Sequence, residues 1–176
     1  MASVTTGAGR LPAALTRRRG NLLGFAASAA LIAYALYVQY VLGLEPCPLC
    51  ILQRVAVMAV GALFLLAALH DPSDRGAPVY AILIDLAALA GILVAVRHLW
   101  ILAQPAGSVA ECGASLDYMM DVLPLHEVLA KVLAGSGECA KVDWEFLGLT
   151  MPAWVLVALV GLGAWGVLVN LVAKRR

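Results

Sequence analysis

The stretch EPCPLCILQR, residues 45–54, lies between two long apolar runs and decides how the rest of the chain is interpreted. It contains two cysteines three positions apart, Cys47 and Cys50, and Arg54 follows one helical turn after the second cysteine. Thiols and a cation are unusual neighbours for apolar runs of this length. The length of the runs therefore decides whether these groups belong to a soluble core or to the boundary of a membrane.

The composition of the 176-residue chain is typical of a membrane protein, because 63% of it is hydrophobic and only 13% is charged. Four apolar blocks, residues 22–44, 51–69, 79–101 and 152–172, approach the roughly 20 residues that cross the hydrocarbon of a bilayer. Backbone groups in lipid must be satisfied within their own segment, so each block is predicted to be a helix. Short connections make successive helices antiparallel. The sequence therefore predicts an all-α membrane protein whose single domain, residues 21–176, is a four-transmembrane-helix up-down bundle.

The distribution of lysine and arginine predicts the orientation of this bundle. With an even number of spans both termini lie on one side, and eight of the twelve basic residues are found there. These eight are Arg10, Arg17, Arg18, Arg19, Arg75, Lys174, Arg175 and Arg176. The termini, including a tail of residues 1–20, are therefore predicted to be cytoplasmic, and all four cysteines to lie outside. A signal peptide is the alternative for the first run, although its 23 residues exceed the usual core of about 7–15.

The outer loop, residues 102–151, contains Cys112 and Cys139 and is too long for a plain connection. Apolar residues recur in it at helical spacing between positions 116 and 133, with a break at Pro124. This pattern predicts a short helix that either lies in the membrane interface or packs on the bundle. Acidic residues outnumber basic ones in the loop, which gives no support to nucleic-acid binding.

A Cys-x-x-Cys pair suits reversible disulfide chemistry, since two intervening residues allow the sulfurs to meet and separate again. The thiolate is the reactive form, and it is favoured near a helix N-terminus and near a cation. Cys50 is predicted to lie where the second helix begins, with Arg54 on the same face one turn later. Disulfides persist outside the cytoplasm, so the four cysteines are expected to form two redox couples.

Other interpretations of these residues stay open at this point. A zinc site of four cysteines is disfavoured because Cys112 and Cys139 are 27 positions apart, whereas structural sites use two closely spaced pairs. A structural Cys112–Cys139 disulfide is an alternative, and Arg54 can be a snorkelling surface residue. An ionisable residue within a span is nevertheless a functional hypothesis, which applies to Arg54 and to Asp85. His98, near the outer end of the third span, fits a structural histidine or a ligand contact equally well.

Electrons taken up by a thiol pair need an acceptor. The sequence contains no Gly-rich phosphate loop, no haem-attachment signature and no HExxH motif. A lipid-dissolved two-electron carrier such as a quinone is therefore the expected acceptor. Arg54 is placed to stabilise the anion formed on the carrier or on sulfur.

Two motifs and the order of the elements resemble the disulfide bond formation protein B (DsbB) family. EPCPLCILQR is similar to the family's first outer-loop motif, and GECAKVDWEFLGLTMPAW, residues 137–154, is similar to the stretch leading into its fourth span. The resemblance implies a thiol oxidase of the bacterial inner membrane that reoxidises a periplasmic DsbA-like dithiol oxidase and delivers electrons to ubiquinone or menaquinone. It also implies that Arg54 and His98 contact the quinone.

The resemblance further implies an electron path through the four cysteines. The partner thiolate would attack Cys112 of a Cys112–Cys139 disulfide, and the released Cys139 would attack Cys47 of the Cys47–Cys50 disulfide. Cys50 would then be the thiolate that meets the quinone.

Two rival functions are compatible with parts of the pattern. Vitamin K epoxide reductase-like proteins are also small helical bundles with a CxxC and a quinone, but their quinone-facing CxxC lies late in the chain. A non-catalytic membrane interaction protein with a structural disulfide in its outer loop is the rival from another class. It predicts that Cys47 and Cys50 can be replaced by serine without loss of function.

Overall fold

The computed structural model describes residues 16–105, 116–135, 137–140 and 144–173. Six α-helices and one two-stranded hairpin lie in these ranges, together with a 3₁₀ turn at Gly137–Ala140. In chain order they are α1 (Arg17–Tyr40), α2 (Pro48–His70), α3 (Ala77–Leu102), α4 (Leu116–Val122), α5 (Leu125–Ala134), β1 (Glu145–Phe146), β2 (Leu149–Thr150) and α6 (Met151–Val172). The helices α1, α2, α3 and α6 are each long and apolar enough to cross a membrane.

These four long helices form an up-down bundle. Helix α3 packs extensively on α6 and α2, and α1 packs extensively on α2. The contact between α1 and α6 is much sparser, so the bundle is least tightly closed between its first and last helices. The predicted fold class is confirmed. Helix α1 covers residues 17–40 where the apolar run predicts 22–44, because the chain leaves the helix before the first cysteine motif.

Close approach of the helices depends on small residues, as is usual in membrane bundles. Gly24 of α1 faces the ring of Phe64 on α2, and Gly166 of α6 faces Ile84 on α3. Phe64 and Ile84 are both fully buried. They belong to a central cluster, which consists of Val57, Val60, Phe64, Ile84, Ala88, Leu159 and Leu162.

Hydrogen bonds from a buried polar side chain connect separate segments of the chain at the end of the bundle where α1 begins and α6 ends. Arg17, which the sequence places in a tail, is the first residue of α1 and is buried. Its guanidinium donates to the carbonyl oxygens of Pro72 and Ala173, each at 3.0 Å, and to the Asp74 carboxylate at 2.9 Å. This contact connects three segments that are distant in sequence.

The cysteines lie at the opposite end, hereafter the cysteine end, which the outer-loop helices partly cover. Helix α5 follows Pro124, and its Val128 and Val132 are buried against the ends of the bundle. Leu125 and Leu129, on the same helix, remain exposed. The short helix expected from the sequence is therefore present, and its valines pack on the bundle.

A hairpin leads from the loop into α6. Glu145 pairs with Thr150 and Phe146 with Leu149. The two turn residues, Leu147 and Gly148, have φ values of 53° and 76°, which matches the primed turns of two-residue hairpins. The turn brings Phe146 close to the start of α6.

Candidate thiol redox site

The first cysteine of the CxxC motif caps the second helix. Cys47 has extended backbone angles, Pro48 occupies the first helical position, and the Cys47 Sγ accepts a hydrogen bond from the backbone N–H of Cys50 at 3.4 Å. Proline is favoured at this position because its missing N–H would have no helical partner. The sequence predicts that Cys50 is the residue at the free helix N-terminus. In the structure α2 begins at Pro48, so it is the Cys47 sulfur that accepts a hydrogen bond from an N–H group at the helix end, that of Cys50.

The two sulfurs of the motif lie 3.2 Å apart, within hydrogen-bond distance, and are not joined by a disulfide. Cys47 is buried, whereas Cys50 is partly exposed. The buried His98 of α3 approaches this pair, with its Nε2 3.9 Å from the Cys47 Sγ. The structure thus brings together three of the residues that the sequence singles out.

Gln53 is a member of the site that sequence reasoning missed. Its side chain is only 3% exposed, and its Nε2 lies 3.1 Å from Nδ1 of His98. An amide donor at Nδ1 leaves the proton on Nε2, so the Nε2–H points away from Gln53. The only available signal was an amide residue at i+3 from Cys50, directly before Arg54.

Cys139 reaches the same place from the outer loop. It lies in the 3₁₀ turn, is 1% exposed, and its carbonyl oxygen is 3.1 Å from His98 Nε2. Cys139 and Cys47 belong to one buried cluster, together with residues of α2, α3 and α5. Cys112, which the sequence predicts as the partner of Cys139, lies outside the described residues.

Arg54 lies one turn deeper along α2 than Cys50, and α1 holds its side chain. Its Nη1 donates to Oε1 of Gln39, and its Nη2 donates to the carbonyl oxygen of Ala35 at 3.2 Å. A guanidinium in a spanning helix is costly unless its donors find partners. Helix α1 supplies these acceptors, so Arg54 is held at the interior of the bundle and partly exposed to the cavity described next.

A cavity of about 680 Å³ opens at the cysteine end between α1, α2 and α6. Cys47, Cys50, Gln53, Arg54 and His98 all contribute to its lining. The remaining wall is mostly apolar, as in pockets that bind hydrophobic small molecules. Its position coincides with the sparse contact between α1 and α6.

Aromatic rings form one wall of the cavity. Trp144 meets Tyr34 of α1 edge to face, with ring centroids 6.1 Å apart, and it stacks on Phe146 at 6.0 Å. Phe146 in turn contacts Trp154 of α6, whose indole N–H donates to the Phe146 carbonyl oxygen at 3.1 Å. The hairpin therefore connects α1 and α6 across the mouth of the site.

Three other ionisable residues, Asp85, His70 and His126, do not line the cavity. Asp85 of α3 is exposed, and its carboxylate faces the backbone of Gly163 on α6. His70 is exposed and hydrogen bonded to the Tyr80 hydroxyl at 2.8 Å, and His126 is also exposed. The histidine that belongs to the site is His98.

Comparison with known proteins identifies the family. The family model "Disulfide bond formation protein DsbB" matches residues 17–169. Disulfide bond formation protein B of Chromobacterium violaceum is 54% identical over 162 residues, covering 92% of this chain and 96% of the relative. The proteins of the same name from Methylobacillus flagellatus and Hahella chejuensis are 52% and 49% identical, covering 86% and 88% of this chain and 91% and 93% of each relative. The family implies disulfide oxidoreductase activity, and the chain belongs to the DsbB family of disulfide bond formation proteins.

Proposed function

We propose that this protein is a thiol:quinone oxidoreductase that reoxidises a DsbA-like dithiol oxidase and passes the electrons through its two cysteine pairs to ubiquinone or menaquinone. Its place is the bacterial inner membrane, with cytoplasmic termini and periplasmic cysteines. The observation that carries the proposal is the placement of Cys47, Cys50, Arg54 and His98 on the wall of one largely apolar cavity.

The cavity suits a quinone by shape and by chemistry. A ring with an isoprenoid tail requires an apolar, aromatic wall, which the rings of Tyr34, Trp144, Phe146 and Trp154 provide. Its carbonyl oxygens require a donor at the wall of the cavity, and Arg54 has N–H groups beyond the two that α1 accepts. His98 lines the same wall, with its N–H given to the Cys139 carbonyl. The quinone supplies a two-electron acceptor, and the protein supplies its position beside Cys50.

The proposed thiol steps are those that the family resemblance implies, and the burial of Cys139 and Cys47 supports one of them. The partner thiolate attacks Cys112 of the Cys112–Cys139 disulfide, which forms a mixed disulfide and releases Cys139. The Cys139 thiolate attacks Cys47, which forms a Cys139–Cys47 disulfide, breaks the Cys47–Cys50 bond and leaves Cys50 as a thiolate. The common burial of Cys139 and Cys47 in one cluster supports this choice of target.

The partner's second thiol displaces Cys112 and completes the partner disulfide, and the Cys112 thiolate then attacks Cys139, which re-forms Cys112–Cys139 and releases Cys47. The two electrons of the Cys47 and Cys50 dithiol pass to the quinone as their disulfide forms again.

His98 and Arg54 have separate tasks in this scheme. The Nε2–H of His98 donates to the Cys139 carbonyl and lies near the Cys47 sulfur. His98 therefore keeps the turn that contains Cys139 close to Cys47, the residue that Cys139 attacks. Arg54, on the same face of α2 as Cys50, stabilises negative charge that forms on the cavity side. Both side chains act by position and charge and are not themselves oxidised.

Turnover of purified protein in detergent tests the proposal directly. Reduced DsbA-like protein is supplied with ubiquinone or menaquinone, and thiol loss and quinone absorbance are followed together. One quinone should be reduced for each partner disulfide formed. Arg54→Met should raise the KM for quinone by about tenfold or more, the cost of one lost charge-assisted hydrogen bond. Arg75→Ala, at the far end of the bundle, is the matched control.

Two results would overturn the proposal. One is partner oxidation at the same rate without quinone. The other is full activity of a Cys47→Ser/Cys50→Ser variant, which the non-catalytic membrane interaction protein predicts. Trapping a mixed disulfide between the oxidised partner and a Cys139→Ala variant, in which the free Cys112 thiolate attacks the partner disulfide, tests the role of Cys112 separately.

A further inference from the structure

Two thiols and one imidazole converge at the head of α2. The sulfurs of Cys47 and Cys50 and a ring nitrogen of His98 all lie within 4.8 Å of one another. The sulfurs are 3.2 Å apart, and Nε2 of His98 is 3.9 Å from the Cys47 sulfur. Two cysteines, one histidine and an open fourth position form a known type of Zn²⁺ site.

We propose that the dithiol form of Cys47 and Cys50, together with His98, binds a thiophilic divalent cation of the Zn²⁺ class, and that the bound cation blocks reoxidation of the pair. The site requires only the dithiol, which a chemical reductant produces without quinone or partner. It therefore stands independently of the proposed electron acceptor.

The geometry requires small movements to reach a tetrahedral site. With Zn–S near 2.3 Å and Zn–N near 2.0 Å, tetrahedral ligands lie about 3.8 Å apart for two sulfurs and about 3.5 Å apart for sulfur and nitrogen. The corresponding separations here are 3.2 Å and 3.9 Å. Rotation of the partly exposed Cys50 side chain opens the sulfur pair by the required half ångström. All three ligand residues line the cavity, which leaves room there for a fourth ligand.

Charge balance favours the cation at this place. Each thiol loses a proton on binding, so two protons leave as one divalent cation enters. Two thiolates neutralise the cation, and the complex with a neutral imidazole has no net charge. A neutral complex avoids the large cost of burying an ion beside the apolar cluster at the cysteine end.

The side-chain amide of Gln53 holds the His98 ring of the proposed site in place. A histidine that binds a metal donates its other N–H to a carbonyl or carboxylate oxygen. The Gln53 amide, 3.1 Å from Nδ1, supplies such an oxygen after a half-turn of its amide group. Gln53 therefore supports both neutral tautomers of the ring: its N–H donates to Nδ1 without the cation, and its oxygen accepts from Nδ1–H with the cation.

The cation and Cys139 compete for one atom. Nε2 of His98 lies 3.1 Å from the Cys139 carbonyl oxygen, and a nitrogen that binds a metal cannot donate that hydrogen bond. Cation binding therefore releases the Cys139 turn and occupies both thiolates of the CxxC. This set of ligands differs from the four-cysteine site that the sequence spacing disfavours, since it takes one ligand from α3.

Cobalt provides the probe, because Co²⁺ bound by thiolates absorbs strongly in the near ultraviolet. The parent for the test carries Cys112→Ser and Cys139→Ser, so that Cys47 and Cys50 are its only thiols. Reduced parent in detergent should bind one Co²⁺ with a thiolate charge-transfer band, and the disulfide form should show none. Binding should also protect both thiols from alkylation.

Variants of the imidazole and of its support decide whether the site is the one described. His98→Ala should weaken Co²⁺ binding by about 100-fold or more, and Gln53→Leu by about 10- to 100-fold. Gln53→Glu keeps an acceptor oxygen and should bind within a few-fold of the parent. His70→Ala/His126→Ala removes the other two histidines and is the matched control, with unchanged binding expected.

Failure of the proposal is distinct from failure of the oxidase. A folded dithiol parent without a charge-transfer band overturns it, as does a band of equal affinity in His98→Ala. Where His98→Ala does not fold, equal affinity of Gln53→Leu and parent overturns it. Quinone-dependent turnover of the wild-type protein, measured with a chelator present, is unaffected by either result.

Discussion

Arg97 donates a hydrogen bond of 2.8 Å from Nε to the carbonyl oxygen of Leu133, so a side chain of α3 caps the C-terminal end of α5. Its Nη2 donates to the Ala134 carbonyl at 2.9 Å, and the guanidinium lies 4.2 Å from the centre of the Trp100 ring. The N–H of Gly135 donates to the carbonyl oxygens of Lys131 and Val132 in α5. All four terminal carbonyls of the helix are therefore satisfied, and α5 is fixed five residues before Cys139.

We predict that Arg97→Ala loosens the cap without unfolding the bundle. Two hydrogen bonds from a charged donor are lost, at about 1 kcal/mol each for exposed groups. The backbone amides of α5 and of the turn that contains Cys139 should exchange with deuterium faster. The amides of α2 and α6 should keep their rates, and mass spectrometry of peptides resolves these segments.

Arg97→Lys is the informative companion to this variant. Lysine keeps the charge but lacks the planar fork that reaches both carbonyls. Exchange rates between those of the wild type and Arg97→Ala are expected. Rates equal to the wild type would show that charge alone holds α5, contrary to the capping geometry. Arg75→Ala, at the other end of the protein, should change nothing in α5.

Gln39 controls the position of Arg54 in the cavity. Its Oε1 accepts from Nη1 of Arg54, and the Ala35 carbonyl accepts from Nη2. We predict that Gln39→Leu raises the KM for quinone severalfold, because the guanidinium keeps its charge but loses its placement. The oxidation of partner thiols in a single turnover should be unchanged. Gln104→Leu, which removes an exposed bond to the Trp100 carbonyl, is the control.

A rise in KM equal to that of Arg54→Met would mean that Gln39→Leu displaces the cation entirely. An unchanged KM would show that the Ala35 carbonyl positions Arg54 by itself. Both outcomes are measured in the same quinone titration.

Asn21 and Asn170 form a reciprocal pair between α1 and α6. Each amide donates to the other's oxygen, at 3.2 and 3.1 Å, and both side chains are buried. Asn21→Leu leaves the buried Asn170 Oδ1 without its donor, although the Asn170 amide still donates to the Gly166 carbonyl at 2.9 Å, so the free energy of unfolding should fall by about 1–3 kcal/mol. Asn21→Leu/Asn170→Leu should recover part of this loss, measured by unfolding in mixed micelles. Additive losses in the double variant would contradict the pairing.

The sequence predicts the features that depend on composition and local spacing. The four spans follow from the length of the apolar runs, and α5 follows from helical spacing interrupted by Pro124. Arg54 and Cys50 lie on one face because four residues make about one helical turn. These relations hold within one segment of chain, so no tertiary contact is needed to find them.

Other residues acquire their roles only where distant segments meet. The sequence shows Gln53 only as a polar residue in a largely apolar segment. Its role follows from the fold, because α3 places the His98 Nδ1 3.1 Å from the Gln53 Nε2. Gln39 gains its role only from the packing of α1 on α2. Arg17 is similar, because its carbonyl partners come from a loop and from the end of α6. A basic residue near a terminus gives no sign of such burial.

Gly24 permits a close approach of α1 to α2, and its replacement tests how tightly the bundle is packed. A Cβ added at Gly24 would lie 2.7 Å from the ring of the fully buried Phe64, whereas one added at Gly161 of α6 meets nothing within 4 Å. Gly24→Ala should therefore lower the free energy of unfolding by about 1–3 kcal/mol through overpacking. Gly161→Ala should cause no loss, because alanine is the better helix former. Equal stability of the two variants in the same micelles would show that α1 shifts away from α2 at little cost, and quinone turnover of Gly24→Ala would then report whether the cavity between α1 and α6 tolerates that shift.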